Sequence, residues 1–297
     1  MQNAILISLL FAFLSPVIWA MMDLIDEYVI DNKSRYPLGF AFFVGMANVI
    51  LGIILTFFLN WESFSIRDYW PSAVSGFFLG MQFLLYFWML KKDDVSNVIG
   101  FSYFYPVIVS VLSFLFLHEV LTISIYLGMA LIMFGIALIY LRNMKKKLHI
   151  VFWIILSYAL SIAFYEFFIK VATTKVAEIN GLAINSIFLG LAIFPLIFSR
   201  KRRSEIAYEV RNIHWALLSE MFTISAVFGT YIAMKNLPAT IVSSLQATEP
   251  LLVLAFEKIA NKRGIMKSQD TNFFNKLIAI ILITAGVAVM YITEAMK

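Results

Sequence analysis

The stretch TIVSSLQATEPLLVLAF places one carboxylate, Glu249, directly before Pro250 in an otherwise apolar run. Ser243, Gln246 and Glu249 recur at three-residue steps, so on a helix they share one face. A carboxylate on such a face can bind an amine or accept and release a proton. It can also act structurally, as a protonated acid that hydrogen-bonds the carbonyl freed by Pro250 and ties two helices together. Both roles stay open at this level, with binding the default for an ionisable group inside a membrane segment.

Other polar groups sit in apolar surroundings at helical spacing. Glu220 has Thr223, and beyond it Val227 and Thr230, on its face. This reads either as a second cavity carboxylate or as a packing hydrogen bond between helices. Glu166 and Lys170 stand at i, i+4 with the acid first, the favourable order, which predicts a self-neutralising structural pair with cavity function as the alternative. Gln82 and Tyr86 share a face as polar lining or as interhelical packing. Ser15, Trp19 and Asp23 follow at four-residue steps, which predicts Asp23 at a cavity mouth, whereas Asp26 and Glu27 are expected to face water.

Catalytic and metal-binding patterns are missing from the sequence. His118, His149 and His214 lie far apart, cysteine is absent, and there is no HExxH, GxSxG or phosphate-binding loop. The expectation is a non-enzyme without cofactor or metal. Without an ATP motif, any transport runs on a gradient.

These groups need helices to hold them, and the composition says where those helices lie. The 297 residues are 62% hydrophobic and only 14% charged, against about 25% charged in soluble domains. A mean hydropathy of +0.87 marks a multi-pass membrane protein whose surface faces lipid. The net charge of +5 sits in short loops between apolar segments, so it does not indicate nucleic-acid binding. The start MQNAILISLLFAFL lacks a basic leader and reads as a first membrane helix. Ten spans are predicted, at 4–25, 38–59, 71–90, 95–117, 121–141, 150–171, 181–199, 214–234, 239–257 and 274–293. In the ninth, Glu249 lies about 15 Å from the helix start, near the bilayer centre. A charge there costs about 2.5–3.5 kcal/mol on insertion scales and should face the bundle interior.

The two halves of the chain resemble each other. LKKDDVSNVIGFSYFYP lies over MKNLPATIVSSLQATEP without gaps at an offset of 144 residues. Ser102 and Tyr105 then match Gln246 and Glu249, and LSPVIWAMM over LSIAFYEFF matches Trp19 to Tyr165. Five spans per unit is odd, so the second unit, 147–297, enters the membrane inverted relative to the first, 1–146. Inverted repeats are a transporter signature, with the substrate near the midplane where they meet. The expected fold is therefore an all-α integral membrane protein of ten transmembrane helices, arranged as two inverted five-helix repeats in one membrane domain.

With Trp19 in PVIWAMMDLIDEYVI, the YFYPVIVSVLSFLFLHEVLT and EPLLVLAFEKI blocks, and the glycine-bearing YLGMALIMFGIALIYL and IAIILITAGVAVMYI, the chain resembles the drug/metabolite transporter superfamily in its ten-helix EamA-type branch. The first half keeps the HEVLT form of the turn after the fourth helix, and the second departs from it with EKIANKRG. The resemblance implies alternating-access transport of small metabolites such as amino acids, often outward, through a central cavity lined by helices one to four of each half. It implies a small-molecule substrate and a lipid bilayer as partners, and a prokaryotic cell membrane as location. The coupling ion expected is a proton carried by Glu249. The alternatives are a facilitative uniporter and a non-transporting scaffold or sensor. The oligomeric state is open, with a monomer compatible. Only 5 of the 23 lysines and arginines fall on the side of the N-terminus, so the positive-inside rule predicts both termini outside the cytoplasm.

Overall fold

A computed structural model describes residues 2–59, 65–90, 104–119, 122–143 and 148–262, with isolated positions between 277 and 289. The described residues are helical and contain no strand. Eleven α-helices follow one another among them: α1 Gln2–Asn32, α2 Pro37–Thr56, α3 Trp70–Leu90, α4 Tyr105–Leu117, α5 Ile123–Asn143, α6 Leu148–Thr173, α7 Glu178–Ile193, α8 Arg200–Glu209, α9 Ile213–Asn236, α10 Ala239–Gln246 and α11 Glu249–Lys262. Six segments among the described residues are long and apolar enough to cross a membrane, and they contain α1, α2, α3, α6, α7 and α9. The predicted tenth span lies largely outside the described residues.

Local chemistry sets several of the helix starts. Pro37 opens α2 and Pro106 sits in the first turn of α4, where a missing N–H leaves nothing unsatisfied. Ser65 and Asp68 form a capping box on the short 3₁₀ turn Ile66–Tyr69 that leads into α3.

Three segments differ from the sequence reading. First, α1 runs 31 residues, about 46 Å, well beyond the expected 4–25. Asp26 and Glu27, expected in water, are only 1% and 6% exposed, because α1 stays packed against both α9 and α11. Second, RKRRSEIAYE, expected as loop, forms the polar helix α8 against the start of α2. Third, the predicted ninth span is two helices. The chain breaks at Ala247–Thr248, so Glu249 opens α11 instead of lying inside a kinked helix. Pro250 explains the break. Its ring excludes the helical carbonyl contact behind it, and it is tolerated in a first turn.

Small residues bring the helices together. A Cβ on Gly76 of α3 would stand 2.1 Å from the Asn185 carbonyl oxygen of α7, and one on Gly190 would stand 2.2 Å from the Gly45 oxygen of α2. Such close backbone approach is how membrane helices gain van der Waals contact. Polar side chains then fix the register. Asn185 Nδ2 donates to Ser75 Oγ at 2.9 Å, and Ser75 Oγ donates to the Tyr165 carbonyl at 3.0 Å, linking α7, α3 and α6. Helices α1 and α9 are antiparallel. Ser8 meets Ile232 and Asn236, Met22 meets Thr223, and Lys33 meets Arg211 and Asn212.

Candidate functional site

Between the helices lies a small cavity of about 30 Å³, room for about two water molecules. Helices α1, α3, α4, α6, α10 and α11 supply its walls. Eight residues anticipated from sequence line it: Trp19, Gln82, Tyr86, Tyr105, Tyr165, Glu166, Gln246 and Glu249. The matched positions Trp19 and Tyr165, and Tyr105 and Glu249, therefore all converge on one cavity.

The acids carry the chemistry of this site. Asp23 lies within hydrogen-bonding reach of Glu249 and close to the Tyr86 side chain. Glu166 faces the hydroxyls of Ser243 and Tyr105. Tyr105 in turn reaches the Ser243 carbonyl at 3.3 Å. Ser243 is fully buried behind the wall, its own hydroxyl donating to the Ala239 carbonyl at 2.8 Å. Gln246 Nε2 donates to Thr230 Oγ1 at 2.8 Å, which ties α10 to α9 beside the cavity. Among the described residues, no lysine or arginine lines the space.

The break before α11 has an electrostatic consequence. A helix N-terminus carries partial positive charge and unsatisfied N–H groups, which favour a nearby carboxylate. Glu249 sits in that first turn, half-buried at the cavity edge. The backbone therefore helps hold an acid where lipid would otherwise exclude it.

Glu220 and Thr223, anticipated as cavity lining, lie elsewhere. They belong to a separate polar group between α1, α2 and α9, where Asn48 Nδ2 donates to Glu220 Oε2 and Thr223 Oγ1 meets Met22 Sδ at 3.1 Å. Their face of α9 turns toward α1 about two to three helical turns from Thr230, so the stripe splits between two places. Ser102 lies outside the described residues.

The expected pairing of Glu166 with Lys170 is absent. Lys170 Nζ instead donates to the carbonyls of Met234 and Leu237, each at 2.7 Å. These are open acceptors at the C-terminal end of α9, where a cation also meets the negative end of the helix dipole. Glu166 is thereby left to the cavity.

Sequence reasoning placed Asp23 at the cavity mouth, whereas it is part of the wall, and it missed Tyr158, Met22, Phe83 and Ile162. Tyr158, Ile162, Tyr165 and Glu166 follow at steps of four, three and one, which is one helix face. That periodicity was a usable signal. Among the described residues no group of three histidines or acids could hold a metal ion.

Against known proteins, the model of the EamA-like transporter family matches twice, over residues 6–141 and 149–292. An uncharacterized transporter, YvbV of Bacillus subtilis (strain 168), is 28% identical over 149 residues, which cover 48% of this chain and 47% of that protein. The match thus spans about half the length of that curated relative. A solved structure titled only "Crystal structure of protein" superimposes with a TM-score of 0.68 at 15% identity, covering 96% of this chain and 97% of the other. That likeness speaks to fold alone.

Proposed function

The chain belongs to the EamA-like transporter family, and from that premise we propose that it is a proton-coupled exporter of small polar metabolites bearing an amino group, amino acids among them. The observation that carries this reading is the Asp23–Glu249 carboxyl pair at a small cavity walled by aromatic rings. A hydrogen bond between two carboxyls requires one proton between them. An ammonium group entering the cavity would satisfy both acids and release that proton. Substrate and proton then compete for one site, which is the requirement for obligatory exchange. The rings of Trp19, Tyr86, Tyr105, Tyr158 and Tyr165 present electron-rich faces that suit a cation.

The cavity volume supports alternating access. About 30 Å³ cannot hold a metabolite, so loading requires the walls to part on one side at a time. Two features support an inverted repeat behind that motion. The family model matches each half separately. The α1–α9 and α3–α6 contacts are the pairs that a repeat of the two halves would exchange, and both are extensive. The basic residues of the α1–α2 turn, of α8 and of the turn after it, among them Lys33, Arg35, Arg202 and Arg211, gather at one end of the bundle. This supports a cytoplasmic assignment for that end, with both termini outside, in a prokaryotic cell membrane.

Thermal stability of the purified protein across a panel of metabolites tests the reading. A ligand at one hundred times its Kd stabilises the folded state by about 2.7 kcal/mol. Amine-bearing compounds should stabilise wild type and lose that effect in Glu249→Gln. With a substrate in hand, transport in vesicles should depend on pH in wild type and much less in Glu249→Gln. A variant that keeps the full pH dependence would overturn the exchange mechanism.

A further inference from the structure

Beyond the central cavity, α1 carries a second buried acid. Asp26 lies one turn past Asp23, toward the basic end of the bundle, and neither of its carboxylate oxygens has a hydrogen-bond partner among the described residues. It faces Ser219 of α9, whose hydroxyl is fully buried and likewise unpartnered. Beside them stands Glu220, fully buried, with Oε1 unpartnered and Oε2 accepting from Asn48 of α2. None of these residues lines the central cavity. No lysine or arginine among the described residues forms an ion pair with Asp26 or Glu220.

We propose that Asp26, Ser219 and Glu220 form a second proton-binding site, outside the substrate cavity and between it and the basic end of the bundle. A buried, unpaired carboxylate in a membrane helix is costly, and a bound cation removes that cost. The surroundings favour a proton over a metal ion. Asn48 Nδ2 also donates to the Val44 carbonyl at 3.3 Å, so one amide hydrogen is held there and the other is directed at Glu220 Oε2. An N–H aimed into the site repels a metal cation and suits a carboxyl group.

The site is placed as a way-station. Asp23 and Asp26 are i, i+3 neighbours on α1, about 5–6 Å apart at Cβ. A proton on the Asp26 carboxyl can pass to the Asp23 carboxylate, directly or through one water, and Asp26 regains it from Glu220 or from water at the basic end. No electrons change hands. The groups that face this route are Glu220 and Ser219 from α9, Tyr86 from α3, Tyr158 from α6, and Glu249 and Glu257 from α11. Asn48 faces Glu220 from α2. All the ionisable ones among them are acids or phenols, so none of these described residues places a fixed positive charge on the route.

The proposal rests on the transporter reading only for the use made of the proton, and its test needs no substrate. Dicyclohexylcarbodiimide, an apolar reagent, modifies carboxyl groups that hold a proton. The full-length protein in vesicles would be treated with it and the modified peptides mapped by mass spectrometry. Modification at Asp26 or Glu220 is expected, falling as pH is raised, and persisting in an Asp23→Asn, Glu249→Gln variant. In Asp26→Asn, Glu220→Gln the signal from these peptides should fall at least tenfold. Absence of modification at both residues in wild type at acidic pH would overturn the proposal. Protection of both by sodium ions at constant pH would overturn it as well, since the site would then be a metal site. Failure of the amine-exchange reading at Glu249 leaves this labelling unchanged, so the two fail separately.

Discussion

Lys170→Met separates two accounts of one side chain. If Lys170 neutralises Glu166, the substitution strands a buried acid and disturbs the cavity. If it caps α9, the substitution removes the ammonium donor from two carbonyls and leaves the cavity alone. The geometry is two N–H···O bonds of 2.7 Å from an ammonium to the Met234 and Leu237 oxygens. Hydrogen bonds to charged groups contribute about 1.5–3 kcal/mol each. The ammonium is half-buried, and Thr173 Oγ1 also reaches the Met234 oxygen at 3.4 Å, so part of the loss is recovered. A net cost of about 2–3 kcal/mol follows, with methionine keeping the packing of the stem. At about 2–4 °C per kcal/mol for a chain of this order, Tm should drop by about 5–10 °C. The decisive measurement is a double-mutant cycle with Glu166→Gln, read by thermal unfolding of the purified protein. Glu166 touches Ser243 and Tyr105, and Lys170 touches the end of α9, so they share no partner. Their effects should add within about 0.5 kcal/mol. A coupling of about 1 kcal/mol or more would refute the capping account and restore the ion pair.

Glu209 Oε1 accepts the backbone N–H groups of Arg35 and Tyr36, each at 2.8 Å, and Asn212 Nδ2 donates to its other oxygen at 2.6 Å. Glu209→Ala should therefore lower stability by about 3 kcal/mol or more, and Glu209→Gln by less, as measured by thermal unfolding. Gly76→Ala forces a methyl to within 2.1 Å of the Asn185 carbonyl oxygen, so α3 and α7 must separate, at a cost of about 1–3 kcal/mol. An unchanged Tm in that variant would contradict the packing described. A reporter active only in the cytoplasm, fused to the C-terminus, should be silent, and activity there would reverse the orientation.

The membrane class, most helix positions and the family were legible in the sequence. Twenty-residue apolar stretches leave few alternatives in lipid, and a gapless offset of 144 residues matches Tyr105 to Glu249. The inward placement of Glu249 was legible for a similar reason, because an acid in an apolar run must turn away from lipid, and it does line the cavity. Partner choice was not. One-dimensional spacing puts Lys170 beside Glu166, but the carbonyls that capture it come from the end of α9, some 64 residues away. Asp26 and Glu27 looked like a wet helix end until α9 and α11 were packed along α1. Asp23 became a cavity residue only when α11 brought Glu249 to it. Periodicity reports which residues share a face of a helix. It is the packing of helices far apart in the chain that decides what each face meets, and hence which acids stand together and which cation is left to serve a helix end.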